Sequence, residues 1–177
     1  VTYSSARKSL AVLICLGLLA VVVAGCSSPG GTSAGKTANV GETVTVDNLK
    51  YTVTAVTTVK EVGAPGNTFK MKDGEFLVLD IDVQNAGDKA TDFDGEMAKV
   101  YDADSKLYEL NLEAAAAACN AAESKGFQNV WFGSLQPGEK TKTKAIFDIP
   151  TGVKDLKVEL RSASIGSENF AVVSLGI

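Results

Sequence analysis

The chain has 177 residues, 17 Lys+Arg against 21 Asp+Glu and no His, for a formal net charge of −4. That acidic balance excludes a nucleic-acid partner, which demands a basic footprint. The missing imidazole excludes Ser-His-Asp and Cys-His catalysis, the commonest zinc and copper ligand, and the usual general base at neutral pH.

In chain order, Arg7 and Lys8 precede an apolar run, residues 10–23, that closes on Val23-Ala24-Gly25-Cys26. A cationic flank, an apolar segment and small residues before a cleavage point are the three parts of an export signal. The run is shorter than the roughly 20 residues a helix needs to cross the hydrocarbon core. Residues 1–25 therefore read as a signal peptide cleaved between Gly25 and Cys26. The motif resembles the bacterial lipobox, in which the Cys26 thiol takes a diacylglyceryl group. An uncleaved anchor and plain secretion are the alternatives. Two acyl chains hold a protein stably on a bilayer, at about 0.8 kcal/mol per buried methylene. The membrane is the partner this implies, with the protein lipid-anchored and facing the extracytoplasmic side.

Of the three cysteines, Cys15 leaves with the signal and Cys26 is acylated, so Cys119 has no intramolecular partner. It reads as a small apolar filler or as a redox or intermolecular thiol. Residues 26–38 follow as a small, polar, Gly- and Pro-containing tether that cannot bury a face, with a root-mean-square reach on the order of 20 Å. Gly30, Gly35, Lys36 and Thr37 match a phosphate-loop spacing. No buried strand precedes them and no helix follows, so the match reads as chance.

From residue 39 to 177 the period changes to two, the mark of strands with one buried face. Leu49, Tyr51, Val53 and Ala55 alternate with Lys50, Thr52 and Thr54, Leu77, Leu79, Ile81 and Val83 with Val78, Asp80 and Asp82, and Leu156, Val158 and Leu160 with Lys157, Glu159 and Arg161. Asp73-Gly74 predicts a two-residue hairpin turn between Phe69-Lys70-Met71 and Phe76-Leu77. Further turns are expected at Ala64-Pro65-Gly66, Asn85-Ala86-Gly87-Asp88, Asp102-Ala103-Asp104-Ser105, Gln136-Pro137-Gly138 and Pro150-Thr151-Gly152. Short strands at this spacing suggest a β-sandwich. Residues 112–124 are Ala-rich and predict a short helix, capped by Asn111 and stopped by Gly126, in a connection between strands.

Val40-Gly41-Glu42-Thr43-Val44, Asn85-Ala86-Gly87-Asp88-Lys89, Tyr101-Asp102-Ala103-Asp104-Ser105-Lys106, Leu135-Gln136-Pro137-Gly138-Glu139 and Phe147-Asp148-Ile149-Pro150 follow one another behind the lipobox. In that order they resemble a bacterial lipoprotein family, a domain of unknown function similar to a secreted mycobacterial immunoprotective antigen. The resemblance covers roughly residues 38 to 177 and implies an immunoglobulin-like sandwich of about seven strands. It carries over no catalytic residues. Ser105 stands where such proteins often place Gly.

Candidate chemistry is sparse. Asp92, Asp94 and Glu96 with Asp102 and Asp104 would gather a calcium ion if their two loops met, since calcium wants several carboxylate oxygens. Asp80 and Asp82 share a strand face and read as a solubilising pair. Lys140, Lys142 and Lys144 form a basic ribbon, either for anionic surfaces or to keep an exposed edge strand from pairing. Trp131 beside Phe132 reads as core, with a ligand platform as the sharper alternative. Neither a catalytic group nor a cofactor is expected. The favoured reading is a monomeric, noncatalytic envelope module that binds an unidentified protein or envelope polymer. The alternative is a divalent-cation-dependent envelope enzyme or accessory using the loop carboxylates.

Overall fold

Alternating apolar residues build the two longest strands, and the remaining elements assemble around them. A computed structural model describes residues 37–164 and 167–177. The signal segment, Cys15, the Gly25-Cys26 junction, residues 26–36 of the tether and all but Thr37 of the phosphate-loop match lie outside the described residues.

Strands β1 (Ala38–Asn39) and β2 (Thr43–Val46) are followed by the long β3 (Leu49–Val59). Ala38, expected in the tether, already pairs with a later strand and is buried. A hairpin of β4 (Glu61–Ala64) and β5 (Asn67–Lys70) leads into the long β6 (Glu75–Asn85). Next come β7 (Thr91–Asp92), a 3-10 turn at Gly95–Met97, β8 (Ala98–Tyr101) and β9 (Leu107–Glu109), then helix α1 (Leu112–Ala121). The last four are β10 (Ser134–Leu135), β11 (Lys140–Ile149), β12 (Lys157–Arg161) and β13 (Phe170–Ser174).

Two principal sheets face each other: five strands ordered β1-β13-β12-β8-β9, and four ordered β11-β6-β3-β2. Two-stranded pairs, β4–β5 and β7–β10, flank them. The architecture is an immunoglobulin-like sandwich, with more strands than the expected seven or so. Leu49, Tyr51 and Val53 of β3 and Leu77, Leu79, Ile81 and Val83 of β6 are buried. They meet Val100, Val158, Leu160 and Val173 of the facing sheet in one core cluster. Burial contributes about 1.5–3 kcal/mol for each large apolar side chain.

Alternation along β3 breaks after Val53, where the register with β6 slips by one residue before Ala55. The Thr54 hydroxyl donates to the Asp80 carbonyl at 3.1 Å. Ala55 consequently loses the inward parity that its sequence pattern implied.

The hairpin expected at Asp73-Gly74 is absent, because β5 pairs with β4 and β6 pairs with β3 and β11. Gly74 has φ 88, and a β-carbon there would lie 2.5 Å from the Ile149 carbonyl oxygen. The positive φ serves close approach of two backbones, not a hairpin. Two-residue turns occur instead at Pro65-Gly66, between Ala64 and Asn67, and at Asp47-Asn48, between Val46 and Leu49.

Helix α1 forms where the Ala-rich run predicts, and the Asn111 side chain accepts from the Ala114 N–H at 3.0 Å. It is less peripheral than a plain connection, since Ala114, Ala115, Ala117, Ala118 and Cys119 are all buried. Small side chains let the helix seat closely between β11 and the β4–β5 hairpin.

Candidate functional site

Pairing registers give the sandwich two distinct ends. Leu49 pairs with Asn85 and Lys140 with Gln84, so the Asp47-Asn48 turn, the 86–94 connection and the start of β11 share one end. Arg161 pairs with Phe170, and Ser162 and Asn169 bond Asp47, which puts these residues at the same end. Tyr101 pairs with Lys157 and Leu107, which puts the β8–β9 turn at the other.

Asn85 organises the first end. This fully buried amide donates to the Lys89 carbonyl at 2.7 Å and the Leu135 carbonyl at 2.9 Å, and accepts from the Gly87 N–H at 2.9 Å. Its backbone pairs with Gly138 and Glu139. One side chain thus fixes the 86–89 loop, β10 and the turn into β11. Leaving any of its polar atoms unpaired would cost about 1–3 kcal/mol.

Between these loops lies a cleft of about 450 Å³, lined by Asn48, residues 88–94, Ala163 and Ser164. Its carboxylates are Asp88, Asp92 and Asp94, and its one cationic side chain is Lys89. Asp94 also caps the 3-10 turn, accepting from the Glu96 N–H at 2.8 Å. Behind it stands Tyr51, whose hydroxyl donates to the Arg161 carbonyl at 2.9 Å. Burial, then the Asp94 charge, pushes ionisation of that phenol far above its ordinary range.

Of the predicted metal set, Asp92 and Asp94 reach this cleft, whereas Asp102 and Asp104 stand at the opposite end. The Asp102 carboxylate accepts from the Asp104 and Lys106 N–H groups at 3.0 and 2.9 Å and from the Tyr108 hydroxyl at 2.9 Å. Those bonds, the Lys106 N–H first, hold its pKa below the usual carboxylate range. Glu96 pairs with Lys99. Among the described residues no three His, Cys, Asp or Glu side chains gather as a metal site. Ser105 in the β8–β9 turn takes φ 62. A second, shallower concavity of about 440 Å³ is lined by Leu107, Tyr108, Glu109, Asn111 and Asp148.

The lysine ribbon does not guard an open edge. Lys144 binds Asp80 at 2.5 Å and Lys140 binds Asp82 at 3.3 Å, so two of the three lysines on β11 pair with the acidic stripe on β6. Lys144 Nζ also lies 4.2 Å from the centroid of the Phe127 ring. Backbone contacts cover the outer edge of β11: Leu110 bridges Phe147, Phe127 bridges Lys142, and the Asn111 N–H donates to the Ile146 carbonyl. Trp131 is core, its indole N–H donating to the Lys144 carbonyl at 2.8 Å and its ring edge-on to Phe93. Phe132 beside it is 69% exposed. Cys119 is buried against Thr143 and Lys144, and burial pushes its thiol pKa up.

Three residue groups at the cleft end carry weight that sequence patterning did not assign: Asp47, Asn85, and the Ser162, Ser167 and Asn169 set. Only the turn chemistry of Asn85-Ala86-Gly87 signalled one of them.

The profile of a domain of unknown function (DUF4352) matches residues 38–171. No curated protein matches the chain. Among solved structures, the yjhA protein of Bacillus subtilis is similar at 18% identity and a TM-score of 0.55, over 78% of this chain and 99% of that one. MPT63, a secreted protein of Mycobacterium tuberculosis, is similar at 14% identity and a TM-score of 0.54, over 78% and 96%. A candidate lipoprotein of Bacillus subtilis, ycdA, is similar at 12% and 0.53, over 76% of this chain and 38% of that one. At such identities the likeness shows a common sandwich fold.

Proposed function

Because the chain belongs to the DUF4352 family, whose function is unknown, its role has to be read from its own surface. We propose that it is a lipid-anchored, noncatalytic binding module of the cell envelope, which meets its partner at the loop-end cleft. One observation carries this reading: most of the groups that the sequence offered for chemistry have structural employment. Asp80 and Asp82 are ion-paired, Asp94 caps a turn, Asp102 collects three donors and the Cys119 thiol is buried. The cleft is a concave, polar surface where loops of both sheets converge, the usual place for recognition on a sandwich. The divalent-cation alternative has lost its premise, since its two loops lie at opposite ends. A secreted protein and a candidate lipoprotein among the structural neighbours support an envelope location.

The test uses the intact chain in its own envelope, with a photo-cross-linking residue in turn at Ala90, Ser164 and Ala103. Adducts with an envelope component are expected from Ala90 and Ser164 in the cleft and not from Ala103 at the far end. Equal yields from all three would overturn the cleft assignment. Mass spectrometry of the protein extracted from membranes is expected to find an acylated Cys26 at the amino terminus, and an unmodified amino terminus would overturn the lipid anchor.

A further inference from the structure

The two walls of the cleft come from segments more than a hundred residues apart in sequence, and one carboxylate joins them. Asn48 lines one wall, Ala163 and Ser164 another. Next to Asn48, the Asp47 carboxylate accepts from Ser162 Oγ at 2.5 Å, Ser167 Oγ at 2.9 Å and Asn169 Nδ2 at 2.8 Å. Each serine oxygen then accepts from a backbone N–H two residues on, Ser164 at 3.0 Å and Asn169 at 3.2 Å. The carboxylate therefore orders side chains that in turn order the backbone forming the wall. Asp47 holds φ 50 to do this, in a two-residue turn where glycine or asparagine would be the easier choice. The Tyr51 hydroxyl on the Arg161 carbonyl pins the same segment where β12 ends. Hydrogen bonds to an ionised acceptor are the strong ones, and here three converge.

We infer that Asp47 is the positioning residue of the cleft, a latch that fixes the Ala163–Ser164 wall against the Asn48 wall and so sets the cleft's width. This rests on the reading of the cleft as the binding surface, but its primary test needs no partner. Nitroxide labels on ketone-bearing residues at Ala90 and Ala163 of the full chain report the separation across the cleft by double electron–electron resonance. A second pair at Ala103 and Thr151 serves as control.

A single narrow distance is expected across the cleft in the wild type, and a broader, longer one in Asp47→Ala, with the control pair unchanged. Asp47→Asn is expected to stay close to the wild type, because its carbonyl still accepts and the serine hydroxyls also accept from its amide. If Asp47→Ala fails to fold, the double variant Ser162→Ala/Ser167→Ala removes two of the three donors and is expected to broaden the same distance. An unchanged cleft distance, or equal broadening of both pairs, would overturn the latch. Cross-linking from Ser164 is expected to fall several-fold in Asp47→Ala. A broadened distance without that fall would count against the cleft as binding surface and leave the latch standing.

Discussion

Asp47 and Asp102 do similar work at opposite ends of the molecule, each gathering three donors on one carboxylate. Hydrogen bonding to the charged form holds both carboxyl groups below the usual carboxylate range, led by Ser162 for Asp47 and by the Lys106 N–H for Asp102. For a carboxylate depressed in the folded state, the stabilisation is complete above its unfolded pKa and disappears as pH falls through its folded one. Near neutrality the melting temperature is therefore expected not to vary with pH through these two groups, and it is expected to drop below about pH 4. The double variant Asp47→Asn/Asp102→Asn should melt lower at pH 7 and show a shallower acid limb, read from thermal scans between pH 2 and 7. Cys119 carries the opposite shift, so its thiol stays protonated and shielded at neutral pH. Iodoacetamide is expected to leave it unmodified in the folded protein and to alkylate it in denaturant, with the mass of the 37–177 portion as readout. Asn111 was legible in sequence because its partner is three residues away. Asp47 was not, because Ser162 is 115 positions away and no local pattern encodes that meeting.

Strand elements followed their alternation closely, since a period of two admits one buried face and the core enforces it. Where prediction failed, a long-range contact had overridden local chemistry. The Asp73-Gly74 pair has hairpin composition, yet its glycine is needed where the Ile149 carbonyl approaches. The bulge in β3 left no signal in the run from Leu49 to Ala55. How residues 110–131 pack was the least legible, because an Ala-rich helix without a strong apolar stripe looks like a surface connection. Its actual task is visible only beside β11: it brings Leu110, Cys119, Phe127 and Trp131 onto an edge that would otherwise offer unpaired backbone groups. Trp131→Phe keeps most of the burial but loses the bond to the Lys144 carbonyl, and should destabilise by about 1–3 kcal/mol. Trp131→Ala should cost about 3–5 kcal/mol. Urea unfolding would read both, and indistinguishable midpoints for Trp131→Phe and wild type would remove the edge-sealing role from the indole N–H.

At the scale of the whole molecule, strand order sends the two acidic loops to opposite ends of the sandwich. Adding millimolar calcium is accordingly expected to leave the melting temperature unchanged, whereas a ligand bound only by the folded state would raise it. A shift of several degrees would reinstate a metal role. The sandwich itself was legible from turn spacing and alternation, but its polarity, one end with a cleft and the other with the β8–β9 turn, required the pairing registers. One register has a mechanical meaning. Ala38 and Asn39 lie parallel to Val173 and Ser174, so the first strand is stitched beside the last by two residue pairs. Any tug arriving from the amino-terminal side runs along that stitch and loads its bonds together in shear. Two residue pairs are expected to give way before the ten of the β6–β11 ladder, which single-molecule pulling would read as a small first release ahead of unfolding of the body.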